Sequence, residues 1–555
     1  MCGIAGFVWS KQHTNKESER LILRMLNTIS YRGPDQTGYT VCGKTVLGMN
    51  RLNIVDLKND AIPYTDSSEN FFLVYNGEIY NHKDIRKNLK YLFSTLSDAE
   101  TVLANFIHKG VASFSDYNGM YAFSLYDKRK DVLYLVRDKT GEKPLYYSQK
   151  NEGLFFSSEM KTLLVSRNVE YFNAISYKAY EFITGEDTLF NGIKSVLPGE
   201  YLEVKSGSIT KKSYWKIWEN IQPIEDNKNK IISKLSEIVE DSILLRTNNC
   251  AHNYGAFISG GLDSALVACI AKPDYLSTAH YAYSDFDELN YAKTVAKYIG
   301  KELHIVSPTK EDFIRTREDI SYHLDTPCTW TSFTLWRLLE DANAHGMKVM
   351  MTGDGADEVF GGYSRYLLLD HDEKIHQIQA MEKYSFMIDR YYGDAAERYA
   401  RLVNRYSNEY DNNVNSYVVN QVRSHMNHAN NNVIHGMGMH DFYTTMQVLL
   451  QMGDRMSMAF SIENRSPFLD HRLIEFAFSM PSKYKINNGI SKWVLKEVAR
   501  KFIPREIVDR VDKRGFSAPV NKWFQWDKTG KYDRSGYKQL VFNDWKKKFN
   551  VNGAP

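Results

Sequence analysis

The residues able to do chemistry fall into two sets, one near the N-terminus and one beyond position 250. Cys2 stands directly behind Met1 in the run Met1-Cys2-Gly3-Ile4-Ala5-Gly6. A small second residue permits removal of the initiator methionine, which leaves a thiol and a free α-amine on one residue, nucleophile and base together. A thiol attacking a carboxamide needs donors for the oxyanion and a clamp for the charged end of its substrate. Asn76-Gly77 offers a side-chain amide and a backbone N–H at a residue that permits close approach. Arg51 suits a carboxylate in bidentate fashion, and Glu78 and Asp98 suit an ammonium group.

The second set begins with Ser259-Gly260-Gly261-Leu262-Asp263-Ser264, between the short apolar segment Tyr254–Ile258 and an apolar helix. Strand, Gly-rich turn and helix start together make an anion pocket of backbone N–H groups. Ser259 and Ser264 add hydroxyls, and Asp263 can hold the magnesium that neutralises phosphate. No GK[ST] ending is present, so this is not a Walker loop. Thr352-Gly353-Asp354-Gly355-Ala356-Asp357-Glu358 follows a second strand, Lys348–Met351, and Asp357 would supply a second carboxylate. Two carboxylates from separate strand ends are what a metal bound to pyrophosphate requires.

The elements that must position these residues change character along the chain. Up to about Lys205 short strands and turns dominate, with Phe71–Tyr75 and Val132–Val136 read as buried strands and helices expected near Glu19–Ser30 and Asp98–Lys109. Lys216–Lys230 is polar and reads as a linker, after which Ile231, Leu235, Ile238/Val239, Ser242 and Leu245 fall on one helical face. At 555 residues, 43% hydrophobic and 25% charged, the chain is expected to form two or more soluble domains. No apolar run predicts a membrane span, and Gly3–Trp9 lacks the basic lead-in of a signal peptide. A net charge of +3 gives no reason to expect nucleic acid. Cys2, Cys42, Cys250, Cys269 and Cys328 lack CxxC spacing, which argues against a disulfide framework and suits a reducing cytoplasm.

Cys2-Gly3-Ile4, Arg32-Gly33-Pro34-Asp35, Arg51-Leu52 with Ile54-Val55-Asp56, Tyr75–Asn81 and Ser97–Glu100 together resemble class II glutamine amidotransferases, as do Asn118–Phe123 and Lys143–Tyr147. The resemblance implies an α+β N-terminal-nucleophile fold, an αββα sandwich. Cys2 would attack the glutamine amide, Asn76 and Gly77 would form the oxyanion hole, Arg51 would bind the glutamine carboxylate, and Glu78 and Asp98 its amine. The hexapeptide at Ser259 resembles the loop of ATP pyrophosphatases. With Asp454–Ala459, Arg465–Asp470, Lys492 and the series Arg510, Lys513, Gly515-Phe516, Pro519, Trp523, it resembles the synthetase half of glutamine-dependent asparagine synthetases as far as about Trp526.

That second resemblance implies an α/β domain with a parallel sheet. ATP would be held by Phe257, Ser259, Gly260, Gly261, Asp263, Ser264, Tyr283, Thr352 and Gly353, and magnesium by Asp263 and Asp357. Lys492 would stabilise charge on departing pyrophosphate, and Asp354 would take a proton from ammonia or orient the intermediate. The sequence departs from the family at Tyr31 (usually His), within Arg137–Glu142, at Met452-Gly453, and at Asp354, where Glu is frequent. The shorter Asp withdraws a carboxylate by about 1.5 Å.

The expected segments are an amidotransferase domain 2–215, a linker 216–230, a synthetase domain 231–526 and a tail 527–555. The expected reaction is glutamine-dependent amidation of an adenylated carboxylate, with ATP and Mg2+ required and aspartate the leading acceptor. Uronic acids, a cyclising amide synthesis and a non-catalytic relative remain as alternatives. Asp325–Ser332 and the Asn-rich Asn408–Asn432 are candidate acceptor-facing stretches, and Met456–Phe460 is a candidate dry lining for ammonia. The family implies small-molecule substrates, a homodimer and a cytoplasmic location, with neither nucleic acid nor membrane as partner.

Overall fold

Aromatic and β-branched runs pair into two antiparallel sheets before position 214. The computed structural model describes residues 2–54, 62–165, 170–172, 174–283, 287–370, 393–405, 412–510, 518–525 and 535–551. The strands are β1 (Gly3–Trp9), β2 (Gln36–Cys42), β3 (Thr45–Arg51), β4 (Tyr64–Thr65), β5 (Phe71–Ile79), β6 (Gly119–Asp127), β7 (Val132–Arg137), β8 (Tyr146–Lys150), β9 (Gly153–Ser157), β10 (Lys194–Ser195), β11 (Glu200–Lys205) and β12 (Ser208–Ser213). One six-stranded sheet runs β10-β8-β9-β1-β3-β2, the other β12-β11-β7-β6-β5-β4.

Alternation along β1 and β3 decides the layers. Ile4, Leu47 and Met49 face the second sheet and pack with Val74. Ala5, Phe7 and Val46 face outward, under Ile22, Met25 and Leu26 of helix Asn15–Asn27. Helix Asp98–Lys109 covers the second sheet from the other side through Val102, Leu103 and Phe106. The result is the αββα sandwich expected. β5 and β7 lie between sheet and helix layers, so both faces are buried and their sequences read as unbroken apolar runs.

Beyond position 250 the strands are parallel: β13 (Tyr254–Phe257), β14 (Tyr275–Ala279), β15 (Leu303–Val306), β16 (Val349–Met351) and β17 (Glu463–Arg465), in the order β15-β14-β13-β16-β17. Parallel neighbours need crossovers, supplied by helices such as Leu262–Ala271, Leu289–Ile299 and Trp330–Ala344. All C-terminal strand ends therefore lie on one side, and that side carries Ser259–Ser264, Thr352–Asp357 and Ser466.

The joint is more ordered than its polar composition suggests. Trp215 and Ile217 are buried in the core of the second half, and the Trp215 indole N–H donates to Glu475 at 2.7 Å. The helix expected from Ile231 starts at Lys228, because the Asn227 side chain accepts the Lys230 N–H at 3.1 Å and caps it. The Asn-rich stretch forms helix Asn412–His428, whose stripe Val414, Val418, Val422 and Met426 is buried. Helix Ser535–Phe549, in the segment expected to be a tail, buries Trp545 completely and seats Phe542 and Phe549 on Phe190 and Tyr171 of the first half. It also ties to the second half, through Arg317–Asp544 at 2.7 Å and the Trp545 indole N–H on the Asp325 carbonyl at 3.1 Å. Val55, Asp56, Asn408–Asp411, Lys513, Gly515, Phe516, Trp526 and Asp527 lie outside the described residues.

Candidate active sites

Cys2 immediately precedes β1 and is 8% exposed. Its backbone N–H donates to Asn76 Oδ1 at 2.9 Å. Asn76 is wholly buried, and its Nδ2 has no hydrogen-bond partner among the described residues. An unpartnered buried donor costs free energy unless a ligand uses it. Asn76-Gly77 is not a turn; it lies inside β5, with Gly77 opposite Tyr121. A Cβ at position 77 would stand 2.3 Å from the Met120 carbonyl oxygen, so β6 approaches at a distance only glycine allows. Burial raises the pKa of the Cys2 thiol, opposed by a backbone hydrogen bond at Leu52 and the charge of Arg51.

Arg51 ends β3 and is buried near Cys2. Asp98 opens its helix behind the Ser97 cap, and its Oδ2 accepts the Ile79 N–H at 2.9 Å and the Tyr75 hydroxyl. Burial, then the charge of Asp98, pushes the Glu78 carboxyl well above its usual range, while Arg465 opposes. A substrate ammonium between Glu78 and Asp98 would relieve that repulsion.

Arg465 comes from the other half of the chain. Its Nη2 lies 3.9 Å from Glu78 Oε2, and its Nε donates to Glu463 Oε1 at 2.6 Å. Arg465 holds the Glu463 carboxyl down to about 2 against the cost of its burial. Further along the same boundary, Arg32 donates through Nε to the Cys2 carbonyl at 3.2 Å and through both terminal nitrogens to Asp454, at 2.8 and 3.0 Å. Arg455 pairs with Glu159 at 3.0 Å, and Lys161 with Asp325 at 2.9 Å, all four groups fully or nearly fully buried. Tyr31, at the position where the family usually has His, donates its hydroxyl to Glu159. Gly453 lies against Asn464, whose Nδ2 would be 3.0 Å from any Cβ at position 453. Beside these ions Leu52, Ile54, Tyr80 and Met120 pack with Val349 and Met458 across the boundary. Of the expected ammonia lining, Met458 is in this cluster and Met456 packs within the second half.

At the C-terminal edge of the parallel sheet, Lys492 Nζ bonds Asp263 Oδ2 at 2.6 Å and Asp357 Oδ1 at 2.7 Å. Two carboxylates that share one ammonium are close enough to share one hydrated divalent cation, so this donor set fits magnesium. Lys492 has a left-handed backbone, φ 52°, at the start of helix Trp493–Ala499. A Cβ at Gly362 would stand 1.9 Å from Asp357 Oδ1 and 2.0 Å from Lys492 Cε.

Gly260 takes φ +72°, where side chains are strained, and the Ser264 hydroxyl accepts the Ser259 N–H at 3.2 Å. Among the described residues no side chain caps helix Leu262–Ala271, which leaves its first N–H groups to a ligand. Arg510 secures this loop by donating to the Gly260 carbonyl at 3.0 Å. A Cβ at Gly353 would stand 2.8 Å from Asp263 Cβ, so the bare glycine lets the two loops touch. The Thr352 hydroxyl donates to Asp354 Oδ2 at 2.9 Å, and its N–H to the Arg465 carbonyl at 3.0 Å. Burial raises the Asp354 carboxyl, against hydrogen bonds from Thr352 and Asn464.

The fold therefore gathers Cys2, Arg51, Asn76, Gly77, Glu78 and Asp98 at one site and Ser259–Ser264, Thr352–Asp357 and Lys492 at another. Phe257 ends β13 beneath the second. Tyr283 follows β14 on the same side of the sheet, with the Lys522 ammonium 5.2 Å over its ring. Sequence reasoning placed Phe360-Gly361-Gly362-Tyr363 behind the second loop but missed the close approach of Gly362 to Asp357 and Lys492, the bridging roles of Glu463 and Arg465, and the Arg32–Asp454 pair. Arg32 and Asp454 both lie in recognised motifs, but nothing in their spacing says that they meet.

The family model for Asparagine synthase matches residues 234–540, and that for Glutamine amidotransferase domain matches residues 1–215. Asparagine synthetase [glutamine-hydrolyzing] 1 of Bacillus subtilis (strain 168) is 30% identical over 565 residues, 95% of this chain and 88% of that protein. A putative asparagine synthetase [glutamine-hydrolyzing] of Mycobacterium tuberculosis (strain ATCC 25618 / H37Rv) is 26% identical, over 95% and 88%. Asparagine synthetase B [glutamine-hydrolyzing] of Escherichia coli (strain K12) is 29% identical over 403 residues, 68% of this chain and 67% of that protein. With both halves matched and the two sites assembled as described, the chain belongs to the asparagine synthase family and is an ATP-dependent, glutamine-hydrolysing ligase.

Proposed function

We propose that the protein is a glutamine-dependent asparagine synthetase in which aspartate is the acceptor. The amidotransferase unit is assigned to 2–215 and the synthetase unit to 231–526 with a linker 216–230 between them; within the expected tail 527–555, helix Ser535–Phe549 acts as a clamp between the two. Once Met1 is removed, the Cys2 thiol attacks the glutamine side-chain carbonyl and its α-amine takes the proton. Asn76 Nδ2 and the Gly77 N–H hold the oxyanion; Arg51 takes the glutamine α-carboxylate, and Glu78 and Asp98 take its ammonium. Collapse of the tetrahedral intermediate breaks the C–N bond and expels ammonia, which takes the proton back from the α-amine; water then hydrolyses the thioester, returning glutamate and the free thiol.

At the second site the Ser259–Ser264 loop cradles ATP, with Asp263 and Asp357 to hold magnesium. When bound, that ion neutralises the phosphates and stabilises pyrophosphate as it leaves. The aspartate side-chain carboxylate attacks the α-phosphorus and pyrophosphate leaves, its oxygens taken by Lys492 as that ammonium withdraws from Asp263 and Asp357. Ammonia then attacks the acyl-adenylate, AMP leaves, and the raised Asp354 carboxyl is suited to accept the proton that ammonia gives up. The apolar Leu52, Met120, Val349 and Met458 supply a dry route between the sites.

One observation carries this reading: β17 joins the sites directly. Its Arg465 side chain faces Glu78 while its backbone carbonyl accepts Thr352, and Ser466 meets the Thr352 hydroxyl at 3.1 Å. The test is amide-labelled glutamine with ATP, Mg2+ and aspartate, following labelled asparagine and pyrophosphate together. Matched formation of both supports the proposal. Glutamate release without asparagine from folded enzyme discards aspartate and moves the search to uronic acids, whose reaction would use the same two sites.

A further inference from the structure

A third cluster of polar side chains lies at the opposite end of the parallel strands, away from both sites. His304 is in edge strand β15, level with Ser277 of β14. Tyr275, two residues earlier in β14, points to the same face, and its ring stacks on His304 at 4.6 Å between centroids. Helix Trp330–Ala344 covers this face, and Asp341 and His345, one helical turn apart, come down beside His304. One ligand atom from each of His304, Asp341 and His345 lies within 4.8 Å of the other two.

The supporting contacts arrange these three for binding. The Tyr275 hydroxyl donates to Asp341 Oδ2, which fixes the carboxylate and leaves its other oxygen to a ligand. His345 Nδ1 is 2.8 Å from the Asp341 carbonyl; donating its proton there leaves Nε2 as the electron-pair donor. A backbone carbonyl or carboxylate on the second ring nitrogen is the usual orienting contact of a metal-bound histidine. Bonds of about 2.1 Å set tetrahedral ligands about 3.4 Å apart. The 4.8 Å limit therefore asks for a small inward swing, which His345, with 42% of its side chain exposed, is free to make.

We propose that His304, Asp341 and His345 form a site for a divalent first-row transition ion, with Zn2+ the expected occupant. Two imidazoles and one carboxylate suit zinc rather than Mg2+ or Ca2+, which prefer all-oxygen shells. The bound ion would pin edge strand β15 to the helix that leads into β16. It is separate from the magnesium expected at Asp263 and Asp357, which stand at the other ends of the strands.

The test uses the untagged full-length chain, freed of metal by chelation and kept in excess Mg2+ so that the nucleotide site is not counted. Co2+ titration should give one equivalent with a visible ligand-field band that Zn2+ bleaches. His345→Ala and His304→Ala should each remove the band, and Zn2+ should raise the Tm of the parent chain but not of His345→Ala. His345 is exposed, so this variant should keep its circular dichroism spectrum and its glutaminase activity. No band in the parent chain, or a band and a zinc-induced Tm shift retained in folded His345→Ala, would overturn the proposal.

Discussion

Replacing Asn76 separates two jobs that its side chain performs. Its Oδ1 accepts the Cys2 N–H at 2.9 Å, a contact that positions the nucleophile before reaction. Its Nδ2, buried and without a partner among the described residues, has work to do only when a substrate oxygen arrives. Removing one oxyanion donor costs about 100- to 1,000-fold in kcat, roughly 3–4 kcal/mol. Losing the Cys2 contact adds about 1 kcal/mol of positioning. Asn76→Ala should therefore lower glutaminase kcat by about 1,000-fold or somewhat more, with KM changed far less. Stability should fall only modestly, because the unpartnered Nδ2, costing about 1–3 kcal/mol, leaves with the side chain and partly offsets both the cavity and the Cys2 N–H left without its acceptor.

Asn76→Asp decides which job matters. It keeps an acceptor for the Cys2 N–H but puts a carboxylate oxygen where the donor stood, facing the developing negative charge. It should be no more active than Asn76→Ala. The assay is glutamate release without acceptor, with ammonia-driven pyrophosphate release as the control for an intact second site. If Asn76→Asp retains most of the glutaminase activity, or if Asn76→Ala raises KM and spares kcat, the oxyanion assignment is wrong.

Gly362→Ala places its Cβ on Asp357 Oδ1 and Lys492 Cε, both ends of side chains that can move, so the chain should fold with near-normal Tm while pyrophosphate release falls at least tenfold and glutaminase survives; unchanged pyrophosphate release would remove the case for a converged Asp263–Lys492–Asp357 centre. Trp545→Ala empties a fully buried site at the seam of the two halves and should cost about 3–5 kcal/mol in urea unfolding; a loss under about 1 kcal/mol would show that helix Ser535–Phe549 does not clamp them. Glu358 is buried beside Asp357 and its carboxyl is pushed up to about 7, against an ordinary 4.5. The native state thus binds the extra proton between those values, so stability falls as pH rises from 4.5 to 7 and is level above, a change of about 3 kcal/mol. Relative to the parent chain, Glu358→Gln should accordingly gain stability between about pH 5 and about pH 8, and an equal urea-midpoint difference at the two pH values would refute the shift.

Much of this was readable from the chain alone. Cys2, the Asn76-Gly77 pair and the Ser259–Ser264 loop are local signals, each carried by adjacent residues, and β5, β7 and helix Asp98–Lys109 follow from short-range pattern. What the sequence could not supply depends on distant residues meeting. Arg32 and Asp454 are 422 positions apart, and Gly362 looks like a turn glycine until Lys492 is seen to occupy the space beside it. The segment after Trp526 misled for a different reason: its charged Lys546-Lys547-Lys548 run masks Phe542, Trp545 and Phe549, which share one buried face. Polar composition likewise hid the docking of Ile217 in the presumed linker.

The boundary between the halves combines two materials with different physical consequences. Apolar contacts among Leu52, Ile54, Met120, Val349 and Met458 exclude water without a directional preference, so they set the register less sharply than paired charges do. The buried ions around Arg32, Asp454, Glu159 and Arg455 set it sharply, because a displaced partner leaves an uncompensated charge at a cost of about 3–5 kcal/mol. Such pairs add little net stability over well-packed hydrophobic residues, so their value here is geometric. They hold the Cys2 carbonyl, through Arg32, in fixed relation to helix Thr445–Ala459, and through Arg465 they hold Glu78 in fixed relation to Thr352. A neutral nucleophile passing between two sites needs a dry path whose ends do not drift apart. On the proposed route, the apolar cluster would keep water out while the ions beside it hold the two halves in one register.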